Sequence, residues 1–260
     1  MNHSAANITV KVDLTNPGQF FACCGLLELA DRLWPGAEGW FEDAEFCVVS
    51  SGTWDDLLQQ ITNAELEQIN PADDMSSPMR LPAPFRLNLD WWTDEIAGGK
   101  QLKVWAGSMR NVRIARAMQK AIVKASDAEQ LFAYTAIVYD PDHKKKKVEP
   151  YYFDSRRGWN AQSLDIGFAP DSLKMTTMAY PAVEFLCLVG LQRFRPAMTK
   201  RRRVFDYFTW SKPLSATTAA AVANGMLRMP NAQAYRFENA FRTDQKKHKS
   251  FLPATPLGVS

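Results

Sequence analysis

The chain has 260 residues, of which 46% are hydrophobic and 12% aromatic; such a composition builds a buried core and excludes an intrinsically disordered chain. No apolar run reaches the roughly 18 residues that a membrane-crossing helix needs, so no transmembrane helix is expected, and no membrane partner, an anionic membrane surface being the lesser alternative for the basic residues. The formal net charge of +3 hides an asymmetry: residues 1–100 hold 5 Lys/Arg against 16 Asp/Glu, a net of −11, and residues 101–260 hold 26 against 12, a net of +14.

In chain order, Ile8, Val10, Val12 and Leu14 alternate with polar residues, the period of a half-buried strand. In NPGQFFACCGLLELADRLWPG, residues 16–36, Phe20, Cys23, Cys24, Leu27 and Ala30 recur at steps of three and four. That spacing is the stripe of a helix lying on a core. Asn16 can cap it, Pro17 suits its first turn, and Pro35 with Gly36 ends it. Gly25 lowers helix propensity by about 1 kcal/mol against alanine, so close packing against a neighbouring strand is its expected purpose. EFCVVSS is the next strand and completes a β-α-β opening, and TWDDLLQQITNAELEQI is an acidic helix. Residues 70–84, rich in Pro, Ser and Asp, read as an exposed loop. FRLNLDWW alternates again, and TDEIAGGK reads as a hairpin or a flexible tip.

From Ser108 to Ala125 a basic amphipathic helix is expected, followed by an apolar strand, LFAYTAIVYD, and a charged turn, DPDHKKKKVEP. YYFDSRRGWNAQSLDIGF reads as extended. Pro181 opens a helix through Val183, Leu186, Cys187 and Leu191. RRRVFDYFTW is strand-like, SATTAAAVANGML helical, and QAYRFENAFR a last strand before a polar tail. No internal repeat appears. Helices and strands joined by hairpin-like connections point to an α+β fold, with residues 1–260 forming one unit of an acidic part, 1–100, and a basic part, 101–260.

Cys23, Cys24, Cys47 and Cys187 form no CxxC pair and have no histidine at ligand spacing, so neither a metal site nor a cofactor is expected. They read as small hydrophobes of the core, with a reactive thiol as the alternative. Unbridged cysteines suit a reducing compartment, and the first residues lack the charged flank and apolar stretch of a secretory leader. The expected location is cytoplasmic.

The basic residues fall into groups. Arg110, Arg113, Arg116, Lys120 and Lys124 step by three or four and share one side of the helix at 108–125; Met109, Val112, Ile114, Met118 and Ile122 share the other. Lys144, Lys145, Lys146 and Lys147 form a loop run, and Arg156 and Arg157 lead into Trp159. Arg193, Arg195, Lys200, Arg201, Arg202 and Arg203 cluster at a helix-to-strand junction, and Lys246, Lys247 and Lys249 flank His248 in the tail. Tyr151, Tyr152, Phe153, Phe194 and Trp210 are interleaved with these cations. Phosphates attract cations and splayed bases stack on flat rings, so the pattern points to nucleic acid.

Catalytic signals are few. The three histidines are His3, His143 and His248, and no GxxxxGK[ST], GxSxG or HExxH occurs. Asp154, Asp165, Glu184 and Asp206 are spread along the chain and suit ion pairs and caps better than a metal cluster. Gly98 and Gly99 read as an isolated hinge. No catalytic residue is assigned; metal-independent RNA cleavage by His248 or a tyrosine is the enzyme alternative, and a protein-only adaptor is the other.

Two stretches together, VDLTNPGQFFACCGLLELADRLWPGAEGWF at 12–41 and YYFDSRRGWNAQSLDIGFAPDSLKMTTMAYPAVEFLCLVGLQRFRP at 151–196, resemble the Csb-type subunits (the third Csb family) of CRISPR type I-U, or I-G, effector complexes. The resemblance implies a non-catalytic component of a Cascade-like ribonucleoprotein in antiviral defence. Its implied partners are guide RNA (crRNA), target DNA and other Cas effector subunits. It also implies a ferredoxin-like, RAMP or RRM-like core with helical insertions, and recognition through phosphate, ribose and stacking rather than base edges.

Overall fold

In the computed structural model, which describes residues 5–73, 75–106, 109–122, 127–157, 178–242 and 248–258, the first helix follows the expected apolar spacing. This helix, α1, spans Pro17–Leu33, and the Asn16 side chain accepts from the backbone N–H of Gly18 and Gln19. Every residue from Pro17 to Ala30 is buried. The expected stripe is therefore a helix sunk on all sides, which is the position an all-round apolar helix takes at the centre of a core.

Its main partner is a second sunken helix, α5, Pro181–Arg193, buried from Pro181 to Leu191. Gly25 packs against this helix and not against a strand: a Cβ on Gly25 would overlap the Leu186 carbonyl oxygen and lie 3.0 Å from the Gly190 nitrogen. The contact is reciprocal, because a Cβ on Gly190 would overlap the Phe21 carbonyl and lie 2.8 Å from the Gly25 nitrogen. Two glycines thus let two backbones touch.

The fold is α+β with antiparallel sheets. The first sheet has the order β1 (Ile8–Lys11), β3 (Glu45–Val49), β2 (Glu38–Glu42) and β9 (Leu214–Ser215). β2 was not expected from the sequence, and its hairpin with β3 makes β1 and β3 antiparallel neighbours. The acidic helix is α2, Trp54–Asn63, shorter than its sequence pattern and closed by a capping box between Thr53 and Asp56. A second sheet has the order β11 (Lys249–Phe251), β10 (Ala234–Phe241), β8 (Val204–Phe208) and β7 (Ala197–Met198), with β12 (Thr255–Leu257) also pairing with β10. The segment expected to be a polar tail therefore supplies two strands. A small sheet joins β4 (Glu67–Gln68), β5 (Met79–Leu81) and β6 (Leu87–Leu89), so residues 70–84 are not all loop. Residues 131–140 form no strand; Ala136 and Tyr139 make isolated bridges to Ala179 and Lys147.

Aromatic packing closes the interior. Phe20 lies 4.4 Å from Tyr207 and 5.2 Å from Phe41 between ring centroids, and Trp210 donates Nε1–H to the Gly39 carbonyl at 2.7 Å, tying the first two sheets together. Trp91, Trp92, Trp105, Tyr151 and Phe153 form a second run of edge-on and tilted rings. Tyr151, Tyr152, Phe153, Phe194 and Trp210, expected as stacking faces for bases, are all buried. Interleaving along the chain did not mean interleaving on the surface. Among the described residues no helix is long and apolar enough to cross a membrane.

Candidate nucleic-acid interface

After the short helix α3, Gly99–Leu102, the basic helix is α4, Asn111–Ala121, with Val112, Ile114, Ala115 and Met118 buried. Its apolar face packs as the spacing required, but its cations are not idle. Arg113 pairs with Asp140, Arg116 donates from Nε and Nη2 to the Leu66 carbonyl at 3.0 and 2.8 Å, and Lys120 Nζ donates to the Thr62 carbonyl at 2.6 Å. These bonds fasten α4 to α2 and to the turn at 140–147. Lys124 lies outside the described residues. Replacing Arg113, Arg116 and Lys120 together by alanine should therefore lower stability by about 2 kcal/mol, read from the denaturant midpoint, because buried acceptors lose their donors. A stability within 0.5 kcal/mol of the parent would contradict these attachments.

The same bonds bring two sequence groups together. Arg110, Arg113 and Arg116 line a cleft of about 190 Å³ with Gln68, Asp140, Asp142 and His143. Asp140 N–H donates to the Lys146 carbonyl and Lys146 N–H to the His143 carbonyl, forming a tight turn that carries Lys144, Lys145, Lys146 and Lys147 at the surface. Burial would raise the Asp140 carboxyl, but the Asp142 N–H that it accepts, together with the Arg113 guanidinium, holds it below the usual carboxylate range.

Other predicted cations serve the fold. Arg156 binds Asp154 at 2.6 Å and lies 3.4 Å over the Tyr180 ring. Arg193 pairs with Glu28 and Arg195 with Asp94, whereas Arg201, 76% exposed, meets Glu238 only at the surface. Trp159, Lys246 and Lys247 lie outside the described residues. Asp154 and Asp206 make the ion pairs expected of them, with Arg156 and Arg236; Glu184 makes no such pair and instead accepts the N–H of Phe153 and Asp154, and Asp165 lies outside the described residues.

One assembly differs from these. Lys200, Arg201 and Arg202 are exposed on the turn between β7 and β8. Arg203 follows with φ at 62°, which directs its guanidinium over the Phe241 ring at 4.4 Å. The register of β10 with β11 sets Phe241 opposite Lys249, and Lys249 N–H bonds the Val104 carbonyl. Lys103, beside Val104, donates to Ser76 Oγ at 2.6 Å and lies 5.1 Å from the Trp105 ring. Burial, and then the charges of Arg203, Lys103 and Arg202, push the Lys249 amine down to about 8. Burial and Lys100 likewise lower Lys103, with Asp73 opposing. Nearby, Arg242 stacks on Tyr152 at 3.5 Å, and burial raises that phenol against the opposing charges of Arg242 and Arg157. Among the described residues the Nε atoms of Arg157, Arg203 and Arg242 are buried with no hydrogen-bond partner.

The two basic surfaces meet at one loop. Lys103 bonds Ser76, Asn111 Nδ2 bonds the Ser77 carbonyl at 2.9 Å, and Gln68 of the Arg110 cleft bonds the Asp73 carbonyl. Sequence reading missed Lys103, Arg242 and Phe241, single residues without neighbours of like kind. The signal that could have found Phe241 and Arg242 is the alternation of β10, which runs on to Phe241 beside Arg242; Lys103 carries no such signal.

The cysteines are inert by position: all four are free and buried, and burial raises the Cys23, Cys24 and Cys187 thiols well above the ordinary value. That removes the reactive-thiol alternative. Among the described residues no group of three or more His, Cys, Asp and Glu could hold a metal ion. In comparisons with known proteins, no family model matches the chain, and neither a curated protein nor a solved structure matches it.

Proposed function

We propose that the chain is a non-catalytic nucleic-acid-binding subunit that holds guide RNA or target DNA in a cytoplasmic CRISPR type I effector ribonucleoprotein. The observation that carries the binding is the grouping of Lys103, Arg202, Arg203 and Lys249. A fold that holds cations together, partly desolvated, gains when a polyanion supplies the counter-charge. Phosphate is the anion that a row of Lys and Arg across two loops and a strand end fits. The lysine turn at 144–147 and the cleft at Arg110 extend the same chemistry.

The CRISPR setting rests on the resemblance of residues 12–41 and 151–196 to the Csb-type subunits. The strand order β1-β3-β2 around α1 supports a ferredoxin-like core within that reading, since a β-α-β-β opening is the first half of such a unit. Here β9 continues the sheet beside β2. Binding is proposed ahead of catalysis because Glu184, the carboxyl moved furthest from its ordinary value among the described residues, is fully buried and committed to backbone N–H groups.

Purification of the tagged chain from cells carrying a CRISPR locus tests the setting. Guide RNA and other Cas subunits are expected to accompany it; recovery of neither would end this reading. Repeat RNA in EDTA is expected to stay intact, and cleavage lost in His248→Ala would favour the endonuclease instead. Binding should also weaken as pH rises from 7 to 9. Lys249 loses its proton through about 8, and a bound phosphate favours the protonated form, so the affinity carried by that charge is present below 8 and fades above it. Lys249→Gln should bind less tightly and lose most of this pH dependence.

A further inference from the structure

Ile96 is 90% exposed and Met198 49%, large apolar side chains at the surface beside the turn that carries Lys200, Arg201 and Arg202. Neither is on a loose end. One oxygen of Asp94 accepts the N–H of Ile96 and of Ala97, each at 3.0 Å, and the other takes Arg195 Nη1 at 2.6 Å. Gly98, at φ 75°, turns the chain back, and Met198 fills the space that a side chain there would need. Gln101 accepts the Arg203 N–H at 2.9 Å, and Asn239 Nδ2 donates to the Gln101 carbonyl at 2.7 Å, fixing the tip onto β10 and the β7–β8 turn. The segment read as flexible is thus a braced support for an exposed isoleucine. Glu95, the acid beside Ile96, is paired with Lys100, and Lys200, Arg201 and Arg202 lie on the turn just beyond Met198.

We propose that Ile96, with Met198, is an apolar wedge that packs against an unstacked base at the fork or end of a nucleic-acid duplex, while Lys200, Arg201 and Arg202 hold the flanking phosphates. The proposal rests on the nucleic-acid reading above. An exposed apolar pair with cations on the adjoining turn complements bases set beside phosphates, and apolar side chains inserted at a base step part it when neighbouring cations grip the backbone.

The test uses a forked DNA duplex carrying 2-aminopurine at the first paired position, whose fluorescence rises when that base unstacks. The parent protein should raise the signal. Ile96→Ser/Met198→Ser should abolish the rise and lower affinity for the fork about tenfold, with single-strand affinity and its salt dependence unchanged. Ile96→Ser alone, whose side chain is 90% exposed, should keep the parent's thermal transition and already lower the rise, which separates the wedge from any loss of the packing of Met198 against Gly98. Binding of the fork by the parent without a fluorescence rise, or a rise retained in the variant, overturns the wedge. Loss of a co-purifying effector subunit in the variant, with the rise retained, makes the surface a protein-docking site and also overturns it. A parent that binds no nucleic acid at all ends the nucleic-acid reading, and the wedge with it.

Discussion

Leucine at Gly25 or Gly190 is expected to prevent folding, and alanine at either to remove about 3 kcal/mol of stability. An added Cβ at each position meets a backbone carbonyl of the opposite helix. A side chain can turn aside, but a backbone cannot, so α1 and α5 must separate. Both helices are buried along most of their length, and their separation opens voids around Phe20, Phe21, Leu186 and Val189 that water cannot fill favourably. Arg193, tied to Glu28 across the same pair, would lose its partner as well. Chemical denaturation of Gly25→Ala and Gly190→Ala measures the effect. Changes below 0.5 kcal/mol would show that the helices give way without loss.

Glu184→Ala is expected to cost several kcal/mol, and Glu184→Gln to change the pH dependence of stability. The carboxyl is buried at the start of α5 and accepts from Phe153 N–H at 3.3 Å and Asp154 N–H at 3.2 Å. Alanine leaves these buried donors unpartnered at about 1–3 kcal/mol each. Burial, and then the neighbouring Asp154, raise the Glu184 carboxyl to about 8. In the unfolded chain the group releases its proton near 4.5. Between those values the folded state holds a proton that the unfolded state has lost, so stability falls as pH rises through the window and stays low above 8. The local slope is roughly 1 kcal/mol per pH unit. Glutamine keeps an acceptor oxygen and cannot titrate, so its stability should be flatter from pH 5 to 8. Urea midpoints across that range decide the point, and parallel curves for parent and Glu184→Gln would refute it.

Much of the fold was legible where one physical cause acts locally. Asn16, Pro17 and the apolar spacing specify α1 without help from distant residues, and Pro181 does the same for α5. What covers a helix is a tertiary fact, and the meaning of Gly25 became plain only beside Gly190. LFAYTAIVYD has the composition of a strand, yet only isolated bridges form along it, because an apolar run can be buried in irregular backbone as well as in a sheet. The candidate site divides in the same way. Charge groups were visible in the chain, but whether an arginine faces solvent or a carboxylate depends on Asp140, Glu28 and Asp94, far off in sequence. Lys249 entered the reading as one of three tail lysines, and its place beside Arg203 follows from strand register.

The dependence of binding on salt tests the phosphate cluster most directly. For single-stranded RNA or DNA of unrelated sequences, log affinity against log salt should fall with a slope of about −3, as expected for four phosphate contacts at roughly 0.7 each. Arg202→Gln/Arg203→Gln/Lys249→Gln should fold and flatten that slope by about 2 units for every sequence alike. An unchanged slope in the folded triple variant would contradict the account.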